Sequence, residues 1–139
     1  MLGLKCGNAY TMLVKTLDDV EYEWKIKPSN KKRKTSNLHA IARVVLKEKY
    51  PHTVFYEEVP FLVEKKQTLF LDFYCPTLNM IVEVNGKQHY EFSHFFHKTK
   101  MKFLQSVKND NRKKEWGKLN NIRFVILPYN EIQTWEELI

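Results

Sequence analysis

Two carboxylates embedded in apolar runs are the residues of this chain best placed to do chemistry: Asp72 in "LFLDFYC" and Glu83 in "MIVEVN". Burying a charge among apolar side chains costs free energy unless something pairs with it. Both runs have the aromatic and β-branched composition of strands, and the turn sequence "PTLN" separates them. The two acids are therefore the first candidates for a functional site.

The turn predicts how the two acids are placed. If it centres between Thr77 and Leu78, antiparallel partners have residue numbers that sum to 155, and Asp72 lies directly opposite Glu83. Opposite residues share a face, with Cβ atoms roughly 4.5–5.5 Å apart. Carboxylates that close repel each other unless a proton or a cation lies between them. Mg²⁺ takes such hard oxygen ligands, so we predict a Mg²⁺ site at Asp72 and Glu83.

Polar residues continue the same edge of the predicted sheet. Asn85 falls on the carboxylate face, Gly86 lets the backbone leave the sheet, and Lys87 and His89 follow. Each residue taken singly also fits a structural role. Asp72 could keep an edge strand soluble, Glu83 could pair with Lys87 or Lys65, and His89 could be an interface histidine. The whole set at this spacing favours a catalytic site.

The elements that must position these residues follow from periodicity and punctuation. "NLHAIARVVLKEKY" predicts a helix capped by Thr35 or Ser36 and ended by Pro51. Three strands, a long polar helix over 98–119, a buried strand in "IRFVILPYN" and a closing helix come next. We therefore expect an α/β fold with a mixed central sheet of about four strands flanked by helices. Residues 1–35 are interpreted as an N-terminal strand segment and basic linker, and 36–139 as the domain with the site.

Charge and composition narrow the partners. The 139 residues carry 23 Lys and Arg against 16 acids, a net charge of +7. Such an excess favours a polyanion, nucleic acid first and an acidic membrane surface second, although a merely basic protein is the plain alternative. We predict that the following residues contact nucleic acid: Lys31, Lys32, Arg33, Lys34, Lys98, Lys100 and Lys113.

Cysteine content and hydropathy address the compartment. Cys6 and Cys75 have no metal-like spacing and indicate no disulfide framework, which favours a reducing compartment. No apolar run approaches the roughly 20 residues that span a bilayer, and "MLGLKCGNAY" lacks the apolar core of a signal peptide. We expect no membrane partner. We also expect an intracellular location, either in the cytoplasm of a cell or in the cytoplasm of a phage-infected host.

The segment "LDFYCPTLNMIVEVNGKQHYEF" resembles the core motif of the PD-(D/E)xK nuclease superfamily, in the branch of very-short-patch-repair endonucleases and related phage and homing endonucleases. Asp72, Glu83, Asn85, Gly86 and His89 stand at the motif positions. The resemblance extends over residues 36–131 and includes an Asp-x-x-Lys pattern at 110–113.

This resemblance implies a restriction-endonuclease-like core and a Mg²⁺-dependent endonuclease that hydrolyses phosphodiester bonds in double-stranded DNA. Asp72 and Glu83 would hold the metal, while Lys87 or His89 would orient water, accept its proton or stabilise the phosphorane charge. Cleavage of both strands by so small a chain would favour a homodimer.

Two positions depart from the family pattern. Asn85 replaces the usual Lys, for which Lys87 or Gln88 could substitute. His39 replaces a Glu on the first helix, so that carboxylate is absent or is supplied by Glu57 or Glu58. Imidazole is a poor ligand for Mg²⁺ and a good one for softer ions such as Mn²⁺. His39 could therefore be a ligand that admits Mn²⁺, a proton acceptor, or a bystander on the solvent face of its helix.

Two rival functions remain open from sequence. One is a non-catalytic nucleic-acid-binding module with the same fold, similar to RAP domains, because "VILPYNEIQTWEEL" resembles the end of such domains. The other is a structural subunit that uses its N-terminal strands as an interaction edge. The opposed acids favour the nuclease, since a pure binder has little use for them.

Overall fold

This computed structural model describes residues 4–6, 9–27 and 36–139 of the chain. Strands and helices follow one another there in an order that begins with three strands and ends with a short helix. The elements are β1 (Leu4–Cys6), β2 (Ala9–Lys15), β3 (Glu21–Ile26), α1 (Asn37–Lys49), β4 (Tyr56–Glu64), β5 (Gln67–Cys75), β6 (Met80–Asn85), α2 (His94–His97), α3 (Lys100–Leu119), β7 (Arg123–Pro128) and α4 (Trp135–Leu138).

The strands form two sheets. β1, β2 and β3 make an antiparallel sheet, and the second sheet has the order β4-β5-β6-β7. In the second sheet β6 and β7 are parallel, while the other neighbours are antiparallel. The predicted α/β architecture, with a mixed central sheet of about four strands flanked by helices, is confirmed.

Both faces of the four-stranded sheet are covered. On one face, α1 and α4 pack against β5, β6 and β7 through Leu46, Phe73, Val82, Leu127 and Trp135. Apolar side chains on the other face contact α3 and the N-terminal sheet. A sheet covered on both sides buries its central strands, which explains why the sequence of β6 is apolar at nearly every position. Glu83 is consequently a carboxylate in the most buried strand of the protein.

Helix boundaries agree closely with the sequence signals. Ser36 caps α1, since its side chain accepts a hydrogen bond from the His39 N–H at 3.2 Å. α3 begins at Lys100 rather than at the predicted Lys98, because Lys98 has a left-handed φ of 64° that interrupts a helix. The closing helix is also shorter than predicted, with a 3-10 turn over Ile132–Thr134 before α4. No helix in the described ranges combines the length and apolar character needed to cross a bilayer.

The N-terminal sheet belongs to the main core. Trp24 is almost fully buried, contacts the rings of Tyr74 and Trp116, and donates from Nε1 to the Pro60 carbonyl at 2.9 Å. Side chains from both predicted segments, 1–35 and 36–139, therefore share one core cluster. The predicted boundary itself lies next to 28–35, outside the described residues.

This shared core gives the first prediction. Trp24→Ala should lower the free energy of unfolding by about 3–5 kcal/mol, because it removes a large buried ring and its hydrogen bond. Leu13→Ala, at a half-exposed position of the neighbouring strand, should change it by no more than about 0.5 kcal/mol. Chemical denaturation of both variants measures this. Equal effects would show that the N-terminal sheet contributes nothing to the core.

Candidate functional site

Asp72 and Glu83 lie where strands β5 and β6 diverge. The ladder between these strands pairs Phe73 with Val82 and ends there, in the predicted register of residue numbers summing to 155. Beyond that pair, β5 is paired with β4 at Leu71, and β6 is paired with β7 at Glu83. Asp72 and Glu83 occupy this point of divergence, which we call the fork.

Each carboxylate at the fork binds the backbone of the other strand. Glu83 Oε2 accepts a hydrogen bond from the Asp72 N–H at 2.6 Å, and Asp72 Oδ2 accepts one from the Val84 N–H at 2.8 Å. These bonds satisfy N–H groups that the ended ladder would leave unpaired. Because β5 lies between β4 and β6, the interpretation of Asp72 as an edge-strand solubility device is wrong.

Lys113 of α3 completes the pairing of Glu83. Its Nζ lies 2.7 Å from Glu83 Oε1, and both side chains are largely buried. The sequence offered Lys65 or Lys87 as partners of Glu83; the structure shows Lys113 in that position. Burial by itself would lower the pKa of Lys113, but the charges of Glu83, Asp72 and Asp110 outweigh it and raise that pKa above its ordinary value.

Glu58 and His39 approach Asp72 from two other elements. One side-chain ligand atom of each of the three residues lies within 4.8 Å of the others, a grouping able to hold a metal ion. Glu58 has a left-handed φ of 51°, between the ladder pairs that Glu57 and Val59 make with β5. A non-glycine residue in this conformation costs free energy and is most often found at functional sites. We call Glu58, Asp72 and Glu83 the acid cluster.

His39 is held in place by its surroundings. It is 4% exposed and stacks on Phe73 with ring centroids 4.4 Å apart, so the interpretation of a solvent-face bystander is wrong. Its Nε2 lies 2.7 Å from Glu57 Oε1, and Arg43 donates two further hydrogen bonds to the same carboxylate. A neutral His39 that donates from Nε2 keeps Nδ1 unprotonated, which is the form a metal ligand needs.

His89 forms a second histidine–carboxylate pair near the acids. Its Nδ1 lies 2.9 Å from Asp110 Oδ2. The bond to Asp110 raises the pKa of His89, burial opposes the shift, and the charges of Asp72 and Glu83 add to it. A protonated imidazole close to the acid cluster can donate a proton or hydrogen-bond an anion.

The remaining predicted site residues lie further out. Asn85 ends β6, and Lys87 is exposed with its Nζ 3.6 Å from Glu91 Oε2. Lys98 lies two residues before α3 and Lys100 is its first residue; both are exposed. The basic run Lys31, Lys32, Arg33 and Lys34 falls outside the described residues, so its contact with nucleic acid stays a prediction.

Burial raises the affinity of the fork for protons. It raises the pKa of Glu83 to about 7, Asp72 adds to the shift, and Lys113 opposes it. Burial likewise raises the pKa of Asp72, against hydrogen bonding from Val84 and the charge of Lys113. Lys113 pairs with Glu83 and its charge also lowers the pKa of Asp72, but it offsets only part of the effect of burial on the two carboxylates.

The sequence did not identify the roles of two residues at the site, Glu58 and Lys113. The sequence offers Glu58 only as an alternative to Glu57 for a substitute carboxylate, and nothing in "YEEV" signals the left-handed φ of Glu58. Lys113 was assigned to nucleic-acid contact, whereas the structure brings it to Glu83. Its spacing of three residues from Asp110 was the available signal, because both then face the same side of a helix.

Comparison with known proteins gives relatives without assigned activities. No family model matches the chain, and no solved structure matches it. It is 39% identical over 61 residues to uncharacterized protein 307L of Invertebrate iridescent virus 6, and 36% identical over 61 residues to uncharacterized protein 033L of Invertebrate iridescent virus 3. Each match covers 44% of this chain and 31% of the viral protein, so the matched part is about a third of those relatives.

The raised pKa of Glu83 has a consequence for stability in metal-free buffer. The folded protein holds this proton more tightly than the unfolded chain, whose glutamates titrate near 4.5. The free energy of unfolding should therefore fall by up to about 3 kcal/mol as the pH rises from about 4.5 to about 7. Denaturant titrations across this range should show the fall in the parent protein and a much smaller one in Glu83→Gln.

Glu91→Gln is the matched control, because Glu91 is an exposed acid paired with a lysine. Its pH profile should follow that of the parent. Parallel profiles for the parent and Glu83→Gln would contradict the account of a strained, proton-binding fork.

Proposed function

We propose that this protein is a metal-dependent endonuclease that hydrolyses phosphodiester bonds in DNA, with the acid cluster as its catalytic centre. The observation that carries the proposal is the fork, where the half-buried Asp72 and the buried Glu83 contact each other's strand. A third carboxylate, Glu58, and the His39 imidazole approach Asp72 there. A protein has no structural need to concentrate like charges this way, because repulsion and burial both oppose it.

The donor set fits a divalent cation. Glu58, Asp72 and Glu83 offer the hard oxygen ligands of Mg²⁺, and His39 adds a nitrogen that would make Mn²⁺ an acceptable substitute. A bound cation supplies charge neutralisation at the phosphate and makes the attacking water more acidic. Glu57 and Arg43 hold His39 in the orientation and tautomer that such ligation requires.

Lys113 and His89 provide the remaining charges that phosphodiester hydrolysis needs. The Lys113 ammonium, 2.7 Å from Glu83, is placed to stabilise negative charge developing on a phosphate at the acid cluster. It thereby takes the part that the superfamily gives to the residue replaced here by Asn85. His89, held by Asp110, is placed to donate a proton to the leaving oxygen.

The positive net charge of the chain and its resemblance to DNA endonucleases support DNA as the substrate. The net charge of +7 favours binding to the phosphate backbone, and Lys98 and Lys100 are exposed for such contacts. The resemblance to very-short-patch-repair and phage endonucleases covers the strands that form the fork. Double-stranded DNA as a partner and a homodimer for double-strand cleavage remain part of this proposal, and viral relatives fit a role in an infected host cell.

The feature that suggested a RAP-like binding module has a packing explanation. Trp135 is fully buried in the core, and its Nε1 donates to the Pro128 carbonyl at 2.8 Å. The "LPY" segment and Trp135 thus pack α4 against β7. This structural role explains their presence without a nucleic-acid ligand. This observation favours the nuclease proposal over the non-catalytic alternative.

The test is cleavage of supercoiled plasmid DNA by the purified chain with Mg²⁺, with Mn²⁺ and with a chelator. The parent should cut only with a divalent ion. Asp72→Asn and Glu83→Gln should each lower the rate by at least about 100-fold, because a misplaced cation forfeits several kcal/mol of charge stabilisation.

Glu91→Gln serves again as the control acid and should cut like the parent. Circular dichroism should show folded protein for each variant. Full activity in Asp72→Asn or Glu83→Gln, or equal cutting in the presence of chelator, would refute the proposed chemistry.

A further inference from the structure

A half-open cavity of about 170 Å³ runs along α1 beside the acid cluster. Its apolar floor is formed by Leu46, Phe55 and Phe73, and Arg43 and Lys47 stand on the helix side. The proposed hydrolysis uses Arg43 and Glu57 of this lining to orient His39, and it uses neither Lys47 nor the apolar floor.

Glu57 and His39 link the cavity to the proposed catalytic centre, since Glu57 lines the cavity and His39 is grouped with Glu58 and Asp72. The Glu57 carboxylate accepts hydrogen bonds from Arg43, while His39 binds it from the other side. His39, Arg43 and Lys47 are successive fourth residues of α1, so they share one face of the helix. At a rise of about 1.5 Å per residue, Arg43 lies roughly 6 Å and Lys47 roughly 12 Å along the helix axis from His39.

The lining combines two kinds of contact. The Phe55 ring forms part of the apolar floor and is partly exposed, which suits a flat apolar group that stacks on this ring. Arg43 is paired with Glu57, so Lys47 gives the lining a surplus positive charge, which favours an anion attached to that group. A nucleobase with its phosphate has both properties, and aromatic side chains bind unpaired bases in this manner. A base that is paired in a duplex cannot present its face to a ring.

We propose that this cavity binds an unpaired nucleotide next to the phosphate at the acid cluster, with the base stacked on Phe55 and its phosphate held by Arg43 and Lys47. The preferred substrate class is thereby DNA with a single-stranded segment beside the cut, and fully paired duplex is cut more slowly. The inference rests on the proposed function only for the position of that phosphate; the nucleotide site itself does not depend on cleavage.

The test measures binding without cleavage, in chelator. The probe is a short DNA duplex that ends in a single-stranded extension containing 2-aminopurine, whose fluorescence is quenched when it stacks. The comparison probe carries the same 2-aminopurine paired within the duplex. The parent should quench the unpaired probe and bind it more tightly than the paired one.

Variants separate stacking from general attraction. Phe55→Leu should abolish the additional quenching and weaken binding of the unpaired probe about 5- to 150-fold, the range that corresponds to about 1–3 kcal/mol of stacking. Phe70→Leu, at a partly exposed phenylalanine of β5 outside the cavity, should bind like the parent. Lys47→Gln should reduce the salt slope for the unpaired probe by about 0.7, while Lys118→Gln, an exposed lysine of α3, should leave it unchanged.

Several outcomes overturn the inference. Equal affinity for the paired and unpaired probes, or equal effects of Phe55→Leu and Phe70→Leu, would show that the cavity holds no base. An unchanged salt slope in Lys47→Gln would show that its rim holds no phosphate, whether or not Phe55→Leu folds. Cleavage that does not depend on Phe55 would leave the proposed activity standing without this site. Phe55-dependent binding by a protein that cuts no DNA would leave the nucleotide site standing without the proposed activity.

Discussion

The divergence of β5 and β6 at Asp72 and Glu83 is the constraint on which the rest of the site depends. Two neighbouring strands cannot separate inside a protein without leaving backbone N–H groups unpaired. Here the two carboxylates accept those N–H groups across the fork, at 2.6 and 2.8 Å. The same hydrogen bonds that end the ladder therefore hold two acids together in a buried position, against their mutual repulsion.

Three other elements, β4, α1 and α3, contribute side chains to the site around the fork. β4 takes a left-handed step at Glu58, which brings a further carboxylate toward Asp72. α1 contributes His39, whose orientation depends on Glu57 and Arg43 rather than on solvent. α3 contributes Lys113 to Glu83 and Asp110 to His89 from positions one helical turn apart. Each contribution adds strain, desolvation or repulsion that the cores on the two sheet faces must offset.

Sequence predicted the parts of this arrangement that depend on local pattern. Strand periodicity and the position of the turn were enough to place Asp72 opposite Glu83, because a hairpin with a short turn has few registers. The cap at Ser36 follows from side-chain chemistry at the start of a helix. The order of elements over 36–139 followed from the same kind of signal.

The parts that sequence missed depend on contacts between distant segments. The Asp-x-x-Lys spacing distinguishes Lys113 among the lysines of its polar helix, but nothing local predicts its contact with a carboxylate 30 residues earlier. His39 could be placed on a helix but not on a face of it, because burial of an imidazole depends on what packs over Phe73. Lys87, the nearer lysine in sequence, pairs instead with Glu91 one turn away, a local contact that competes with the site.

The central claim is that the acid cluster binds a divalent cation, and Mn²⁺ binding followed by electron paramagnetic resonance tests it most directly. Free Mn²⁺ gives a sharp spectrum that is lost on binding, so titration of the metal-free chain at pH 7.5 counts bound ions without any need for DNA or turnover. The account predicts saturable binding by the parent and by Glu91→Gln, competition by Mg²⁺, and loss of the site in Asp72→Asn. Equal Mn²⁺ binding by the parent and Asp72→Asn, or none by the parent, would contradict it.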